Sequence, residues 1–283
     1  MHTHFFSVRT FNNNTNIEVP ILTHYHESIE LIHVLDGSLN CLIQGELYVF
    51  EKGSFAIINQ KQPHRIYPDE QNGCTFQSLV IEPSIFTSNQ EVYKKYIETI
   101  LLDEDFSHLI YSSKNKYVKN IVSLMNAIEE LEQHKPVGYE LSLIAFTYMI
   151  FQDLYVIYRN MNDEISSPIN AEVMLYRKMA DFIYENYENK ITLDDIAMSG
   201  DMSKSKCCII FKKYAQNSPI DFLNLYRLEV STSLLKDTTD SISSIAIECG
   251  FGQQSYYNRL FLREYKITPR EYRQGKSITS TTS

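Results

Sequence analysis

Two stretches decide the fold of this chain: ITLDDIAMSGDMSKSKCCIIFKKYAQNSPIDFL at residues 191–223 and DSISSIAIECGFGQQSYYNRLFLREYKITPREY at residues 240–272. They are two copies of one pattern. An Ile-Ala pair recurs at an offset of 49 residues, and Phe211 recurs as Phe261 at an offset of 50. Each copy predicts a short helix, a tight turn, a second helix and a third helix. This is helix-turn-helix geometry, in which the exposed face of the second helix can enter a DNA major groove.

Cap residues mark three helix starts around these copies. Thr192, Ser218 and Thr268 are each followed three residues later by an acidic residue, which is the pattern of an N-cap with its reciprocal acid. Proline follows the cap directly at Pro219 and Pro269, where it fits the first helical position. We therefore predict helices that begin after these three caps.

The charge differs between the two halves of the chain. The whole chain carries 26 basic and 35 acidic residues, a net charge of −9, which by itself argues against a nucleic-acid partner. Residues 170–283, however, carry 15 basic and 14 acidic residues, so residues 1–169 carry 11 and 21. Nine of these 15 basic residues lie in the stretches 203–213 and 253–273, where the helices would meet phosphates.

The repeated pattern resembles the AraC/XylS family of transcription regulators. The resemblance covers roughly residues 171–274, and ECGFGQQSYYNRLFLREYKITPREYR at residues 248–273 is its most specific part. It implies recognition helices at about 203–215 and 253–265, joined by a long helix from Pro219 to about Lys236. The first copy departs from the family pattern in two places, with Asp201 at the turn position that is Gly250 in the second copy, and Ile209 where the family commonly has Arg.

These helices give the predicted DNA contacts. Amide and guanidinium groups near the start of the recognition helix at 253–265 can read bases, whereas the lysines of the recognition helix at 203–215 suit phosphates. The predicted DNA-binding residues are Ser203, Lys204, Ser205, Lys206, Cys208, Lys212, Gln253, Gln254, Ser255, Asn258, Arg259 and Arg263.

The first half has the pattern of a β structure. Between residues 5 and 82, short alternating segments are separated by Gly37, Gly45 and Gly53, a spacing of eight residues that is typical of hairpin turns. From about Gln90 the hydrophobic period becomes helical. We therefore predict an α+β fold, with an N-terminal β barrel and following helices, and a C-terminal all-α domain of two helix-turn-helix motifs joined by a long helix; the resemblance described next implies that the barrel is cupin-like.

Five polar residues of the β half are candidates for a ligand site. The spacing of His24, His26 and Glu30, with His64 further on, partly resembles the two cupin motifs, in which such residues converge on a divalent metal. We expect instead a small-molecule pocket lined by these four residues and Tyr67, with no cofactor, no metal and no catalytic residue. A simple pairing of His26 with Glu30 is also consistent with the pattern.

The composition predicts the domain order. We expect an effector-sensing β domain at 1–88, a helical dimerisation or packing region at 89–162, a linker at 163–170, the DNA-binding domain at 171–274 and a flexible tail at 275–283. The apolar segment 141–158 contains Gln152 and Asp153, so we interpret it as a buried helix and not as a membrane span. Five irregularly spaced cysteines and an N-terminus without signal-peptide features favour a cytoplasmic protein with reduced thiols.

The resemblance implies a sequence-specific transcription regulator, an activator, whose response depends on a small molecule in the β domain. Its expected partners are double-stranded DNA, the effector, a second copy of the chain and RNA polymerase, with no membrane. One alternative is a cupin-type metalloenzyme with an accessory helical domain. Another is a structural adaptor that uses the helices around Met125 and Met149.

Overall fold

The computed structural model of the chain describes residues 8–10, 22–68, 74–103, 106–112, 115–160 and 171–275. The contacts divide it into two compact units, one built mainly from residues 25–160 and the other mainly from residues 171–275. The predicted linker at 163–170 and the tail beyond Gly275 lie outside the described residues. The domain boundaries given above therefore stay predictions.

The first unit is built on one sheet of seven strands. The strands are β1 (Val8–Thr10), β2 (Ile29–Ile43), β3 (Glu46–Glu51), β4 (Ser54–Ile58), β5 (His64–Pro68), β6 (Cys74–Ile81) and β7 (His108–Ser112). In the sheet β1, β6, β2, β4 and β7 lie in that order, and β3 and β5 both pair with β2.

Two of the three predicted glycine turns are found. Gly45, with φ of 85°, follows Gln44, with φ of 50°, in the turn between β2 and β3, and Gly53, with φ of 82°, lies between β3 and β4. The prediction of a hairpin turn at Gly37 was wrong. There β2 runs on without reversing, because its pairing with β6 shifts register between Val34 and Asp36 and the glycine, with φ of 73°, allows the strand to bend at this irregularity.

Both faces of the central strands β2, β4 and β6 are largely buried, whereas β3 is mostly exposed. One face packs against the helices of the unit, and the alternation of side chains places other residues on the opposite face, which is equally buried because the sheet curls into a half-barrel. The helix-covered face carries Ile29, Leu31, Phe55, Ile57, Leu79 and Ile81, and the inner face carries Glu30, Ile32, Ala56, Ile58 and Ser78.

Helices follow the sheet, as predicted from about Gln90, but β7 interrupts them. A 3₁₀ turn at Pro83–Phe86 leads into α1 (Gln90–Val92), a π turn at Tyr93–Ile97 and α2 (Glu98–Leu101). β7 then pairs antiparallel with β4, so part of the region predicted to be helical belongs to the sheet. The unit ends with α3 (Lys116–His134) and α4 (Tyr139–Arg159), which pack against each other.

Helix α4 is long and apolar enough, by length and composition, to cross a membrane, a test that the core helix of a soluble protein also passes. One stripe of the helix joins the core of the unit, and the buried carboxylate of Asp153 on this helix accepts a hydrogen bond from the amide of Asn120 in α3. One side of α4 is therefore buried and the other exposed, which agrees only in part with the prediction of a buried helix at 141–158.

The main part of the second unit, residues 171–275, contains only helices and the turns between them. It consists of α5 (Ala171–Asn186), α6 (Leu193–Ser199), α7 (Lys204–Ala215), α8 (Pro219–Asp237), α9 (Ile242–Glu248), α10 (Gln254–Tyr265) and α11 (Pro269–Arg273). The three predicted caps are confirmed, because the side chains of Thr192, Ser218 and Thr268 accept hydrogen bonds from backbone N–H groups three residues on.

The two helix-turn-helix turns use different residues for the same backbone shape. Asp201 and Gly250 both have positive φ, of 55° and 80°. The Asp201 carboxylate accepts a hydrogen bond from Lys178 of α5 at 2.7 Å, and aspartate tolerates this region better than most residues. At Gly250 a Cβ would lie 2.4 Å from the carbonyl oxygen of Tyr187, so this position requires glycine for space as well as for φ.

The same loop is held by a buried arginine of the long helix. Arg227 of α8 donates from Nε to the carbonyl oxygen of Tyr187 at 2.7 Å and from Nη2 to that of Asn189 at 2.8 Å. Burial of the Arg227 guanidinium lowers the pKa of this group below its usual value. Both copies of the repeat thus meet at the loop after α5.

Candidate DNA-binding surface and ligand site

The helices predicted to be recognition helices are α7 and α10, and each buries one side. Helix α7 begins after its N-cap, Ser203, and helix α10 begins after Gln253. The buried side chains anchor each helix in the unit; they are Cys207, Ile210, Phe211 and Tyr214 on α7 and Tyr257, Leu260 and Phe261 on α10. The opposite sides remain available to DNA.

Nearly all of the predicted DNA-binding side chains lie on these outward sides. Lys206 and Cys208 are half-buried, and the others are exposed: Ser203, Lys204, Ser205, Lys212, Gln253, Gln254, Ser255, Asn258, Arg259 and Arg263. Ile209, at the position where the first copy departs from the family pattern, is also exposed and can offer thymine methyl groups an apolar contact.

Several lysines of α7 are paired with carboxylates, which the sequence pattern did not indicate. Glu172, near the start of α5, forms ion pairs with both Lys206 and Lys213, and the Lys213 Nζ to Glu172 Oε2 distance is 2.9 Å. Hydrogen bonds from these two lysines lower the pKa of Glu172 to about 2. Lys204 pairs with Asp194 of α6 at 3.0 Å. Phosphates would have to compete with these carboxylates for the lysines.

Helix α10 presents two further exposed residues that were not predicted. The ring of Tyr256 lies beneath the Arg259 guanidinium, 5.6 Å from ring centroid to Cζ, and its hydroxyl accepts a hydrogen bond from Asn224 at 3.2 Å. Leu262 is also exposed on this helix. The doublet Tyr256-Tyr257 was the available signal, since adjacent helical positions cannot both face the core.

The five cysteines form no disulfide bond with one another in this structure. Cys207 is buried in the core side of α7, where burial raises the pKa of its thiol to about 11, and Cys208 is half-buried beside it. A thiol with a raised pKa is a poor nucleophile at neutral pH.

The fold brings together four of the five predicted ligand-site residues. One ligand atom from each of His24, His26, Glu30 and His64 lies within 4.8 Å of the others. The buried Glu30 carboxylate is central: its Oε2 lies 2.9 Å from His64 Nε2 and 3.5 Å from His26 Nε2, and its Oε1 accepts a short hydrogen bond from the Ser78 hydroxyl.

This geometry sets the charge of the carboxylate. Burial acts to raise the pKa of Glu30, but hydrogen bonds from His26 and His64 outweigh it and hold the pKa well below the usual value. For His26, burial acts to lower the pKa, but the hydrogen bond and the charge of Glu30 outweigh it and raise the pKa.

Tyr67 lies apart from this cluster. Alternation along β5 buries His64 and Ile66 and leaves Arg65 and Tyr67 half-buried on the opposite face, where the Arg65 guanidinium lies 5.1 Å from the centroid of the Tyr67 ring. The sequence alone did not fix which of these side chains point inward, and the register of β5 now places Tyr67 on the face opposite His64.

Comparisons with known proteins agree with this architecture. Residues 14–120 match the family described as AraC-like ligand binding domain, and residues 196–275 match a family described as Helix-turn-helix domain. The chain is 27% identical over 268 residues to the uncharacterized HTH-type transcriptional regulator YdeC of Bacillus subtilis, covering 95% of this chain and 90% of YdeC. It is 25% identical to the HTH-type transcriptional activator RhaS of an Enterobacter species, covering 90% and 88%.

A solved structure has the same fold. ToxT from Vibrio cholerae matches over 95% of this chain and 97% of ToxT, with a TM-score of 0.54 at 13% identity. The half-barrel followed by two helix-turn-helix motifs defines a class of protein, the transcription regulators in which a ligand-binding domain is joined to a DNA-binding domain. Within that class, this chain is similar to the regulators of the AraC family, through the match of residues 14–120 to the AraC-like ligand binding domain.

Proposed function

We propose that this regulator activates transcription by binding specific DNA sequences through α7 and α10, with unequal roles for the two helices. The observation that carries the proposal is the outward side of α10. It presents Gln254, Asn258 and Arg259 within about one and a half helical turns, and such amide and guanidinium groups make bidentate contacts with adenine and guanine. Helix α7 presents lysines and Ile209, so its contribution is mainly to phosphates.

The exposed face of α4 supports a homodimer. Leu141, Ile144 and Met149 are exposed and form one apolar stripe along the helix. A second copy of the chain would cover this stripe and double the DNA contacts. Met149 would belong to this interface, but Met125 is buried in the core of its own unit, so it is not a surface for an adaptor.

The proposed setting is the cytoplasm, with RNA polymerase as the protein that the DNA-bound regulator recruits. The inner face of the half-barrel holds the effector, and His24, His26, Glu30 and His64 are its polar contacts. We propose no enzymatic role, because these residues serve to sense the effector.

Gel-shift assays with the promoter region of the chain's own gene test this function. We expect binding that exceeds binding to scrambled DNA of the same composition and that changes when the effector is present. Equal affinity for both DNA molecules under all conditions would exclude a sequence-specific regulator.

A further inference from the structure

An aromatic ring holds the Arg259 guanidinium on the outward side of α10, and this contact carries an inference about base readout. We propose that Tyr256 is a positioning residue, which orients Arg259 toward the edge of a guanine in the major groove and is itself anchored by Asn224 of α8. The inference rests on the proposed function, in which α10 reads bases, and it names the residues that prepare one of these base contacts.

The geometry of α10 places the ring against the cation. Tyr256 and Arg259 are three residues apart on the helix, so their side chains lie on the same face. The Cζ atom of Arg259 lies 5.6 Å from the centroid of the Tyr256 ring, which is within the range of a cation–π contact. The ring attracts the guanidinium through its π face, so the N–H donors at the edge of the guanidinium stay available. Two of these donors can bind O6 and N7 of a guanine.

A carboxylate at the position of the ring would have the opposite effect. Glu172 holds Lys206 of α7 in an ion pair, and this pair must break before the lysine can bind DNA. The ring of Tyr256 orients a cation and leaves its positive charge uncompensated. A ring therefore suits a side chain that must keep a fixed direction and still bind a base.

The ring of Tyr256 is held from the side of the core. Its hydroxyl accepts a hydrogen bond from Nδ2 of Asn224 at 3.2 Å, and Asn224 is a buried polar residue with 8% of its surface exposed. The ring of Phe251, in the turn before α10, lies 6.2 Å from the ring of Tyr256, measured between centroids. Because a buried amide is stable only with hydrogen-bond partners, Asn224 keeps this contact. The long helix α8 thus fixes the ring, and the ring fixes the guanidinium.

The two copies of the repeat support this pairing of roles. At the offset of 50 residues that relates the second helix of one copy to that of the other, Arg259 corresponds to Ile209 and Tyr256 corresponds to Lys206. The first copy therefore lacks both the guanidinium and the ring. The ring occurs in the copy that has the base-reading arginine, which is what we expect if the two side chains act as a unit.

The test is the base preference of the full chain, measured by gel shift on a panel of single-base operator variants. Arg259→Ala first identifies the base pair whose preference depends on Arg259. Tyr256→Leu should reduce the preference at this base pair by about two- to fivefold, the factor that a cation–π contact at an exposed site supplies, and should leave the other positions unchanged. Tyr256→Phe keeps the ring and loses only the hydroxyl, so its preference should lie between those of Tyr256→Leu and the wild type.

Tyr226→Leu is the matched control. Tyr226 is a half-buried tyrosine of α8 whose ring packs against those of Tyr184 and Tyr187, so its loss can lower stability but should leave every base preference unchanged. Tyr256→Leu in an Arg259→Ala background should cause no further change at the identified base pair. Circular dichroism checks that each variant is folded, and Tyr256→Met is a second variant without a ring if Tyr256→Leu does not fold.

Asn224→Ala tests the anchor. This change and Tyr256→Phe remove the same hydrogen bond, so the two variants should lose the same part of the preference. The double variant should equal either single variant. Losses that add in the double variant would overturn the anchoring role of Asn224.

Three results would overturn the positioning role of Tyr256. They are an unchanged preference in Tyr256→Leu, an equal loss in Tyr226→Leu, and a further loss when Tyr256→Leu is added to Arg259→Ala, since Tyr256 would then read the base itself. A wild-type chain without any sequence preference refutes the proposed function and this role with it. A sequence-specific wild type whose preference survives Tyr256→Leu refutes the positioning role alone.

Discussion

Arg259 has the residue-scale role that is easiest to test. Its guanidinium lies over the ring of Tyr256 on the outward side of α10 and forms no ion pair within the described part of the chain, so it is available to a base. We expect Arg259→Ala to cost about 1–3 kcal/mol of binding free energy and to relax the preference at one or two base pairs. Gel shifts on a panel of single-base operator variants measure this directly.

Lys212 provides the contrasting residue. It is exposed near the end of α7 and is suited to a phosphate, so Lys212→Ala should weaken binding to all operator variants alike. It should also reduce the slope of log binding constant against log salt concentration by about one. The proposed division between the helices is refuted if Lys212→Ala changes which base is preferred, or if Arg259→Ala weakens every variant equally.

Gly250 is a residue-scale test of stability. An alanine would have to adopt φ near 80° and place its Cβ 2.4 Å from the Tyr187 carbonyl oxygen. The left-handed conformation alone costs about 1–2 kcal/mol, and relief of the contact adds to it. We expect Gly250→Ala to lower the melting temperature of the DNA-binding unit by about 4–8 °C or more.

Gly252, two residues on, is the matched control. A Cβ there would meet no atom within 4 Å, so Gly252→Ala should leave the melting temperature nearly unchanged. Asp201→Gly tests the same conformation in the first copy and should also be mild, because glycine adopts positive φ readily and only the exposed Lys178 pair is lost. Similar melting temperatures for the Gly250 and Gly252 variants would contradict this account.

At the scale of the element, α5 restrains the basic side of α7. Because Glu172 holds Lys206 and Lys213, Glu172→Gln should release both lysines toward phosphates and tighten binding to any duplex by roughly three- to tenfold at low salt. Glu185→Gln, on the same helix and of the same charge change, should have a smaller effect. Fluorescence anisotropy with a specific and a scrambled duplex distinguishes the two; equal gains would mean that net charge alone is responsible.

The pH dependence of this effect follows from the pKa of Glu172. The pKa of the Glu172 carboxyl is lowered to about 2 in the folded unit, below its ordinary value in the unfolded chain. Its ion pairs therefore stabilise the folded unit at any pH above the unfolded pKa. This stabilisation is lost only as the pH falls through the folded pKa. The carboxylate is therefore charged throughout the range from pH 6 to pH 8. The ratio of affinities between the Glu172→Gln variant and the wild type should stay constant over this range, as anisotropy titrations at three pH values will show.

The elements also show how far the sequence was sufficient. The resemblance to the AraC/XylS family, carried by the internal repeat, placed α7, α8 and α10 to within about a residue, and the local cap at Ser218 marked the start of α8. The bend at Gly37 and strand β7 were not predicted, since both depend on pairing with strands distant in sequence. The convergence of His24, His26, Glu30 and His64 was expected from spacing, but the placement of Tyr67 required the register of β5, and the Glu172 pairs required tertiary contacts.

At the scale of the whole molecule, the proposed dimer depends on α4. Ile144→Asp places a charge in the exposed apolar stripe and should shift the species from twice 33.0 kDa to 33.0 kDa in light scattering. Met198→Asp, at an exposed methionine in α6, is the control and should leave the mass unchanged. A dimer that persists in the Ile144 variant at the same concentration would place the interface elsewhere.

The loop after α5 has a consequence for the DNA itself. Arg227 donates hydrogen bonds to its carbonyl groups and Gly250 packs closely against it, so we expect α7 and α10 to be held at a fixed separation, near that of two successive major grooves. Because this separation cannot change to suit a site, a mismatch between it and the spacing of the two grooves must be accommodated by curvature of the double helix. The uncontacted steps between the two grooves should therefore influence affinity through their flexibility, with a TA or CA step favoured over a stiff A-tract.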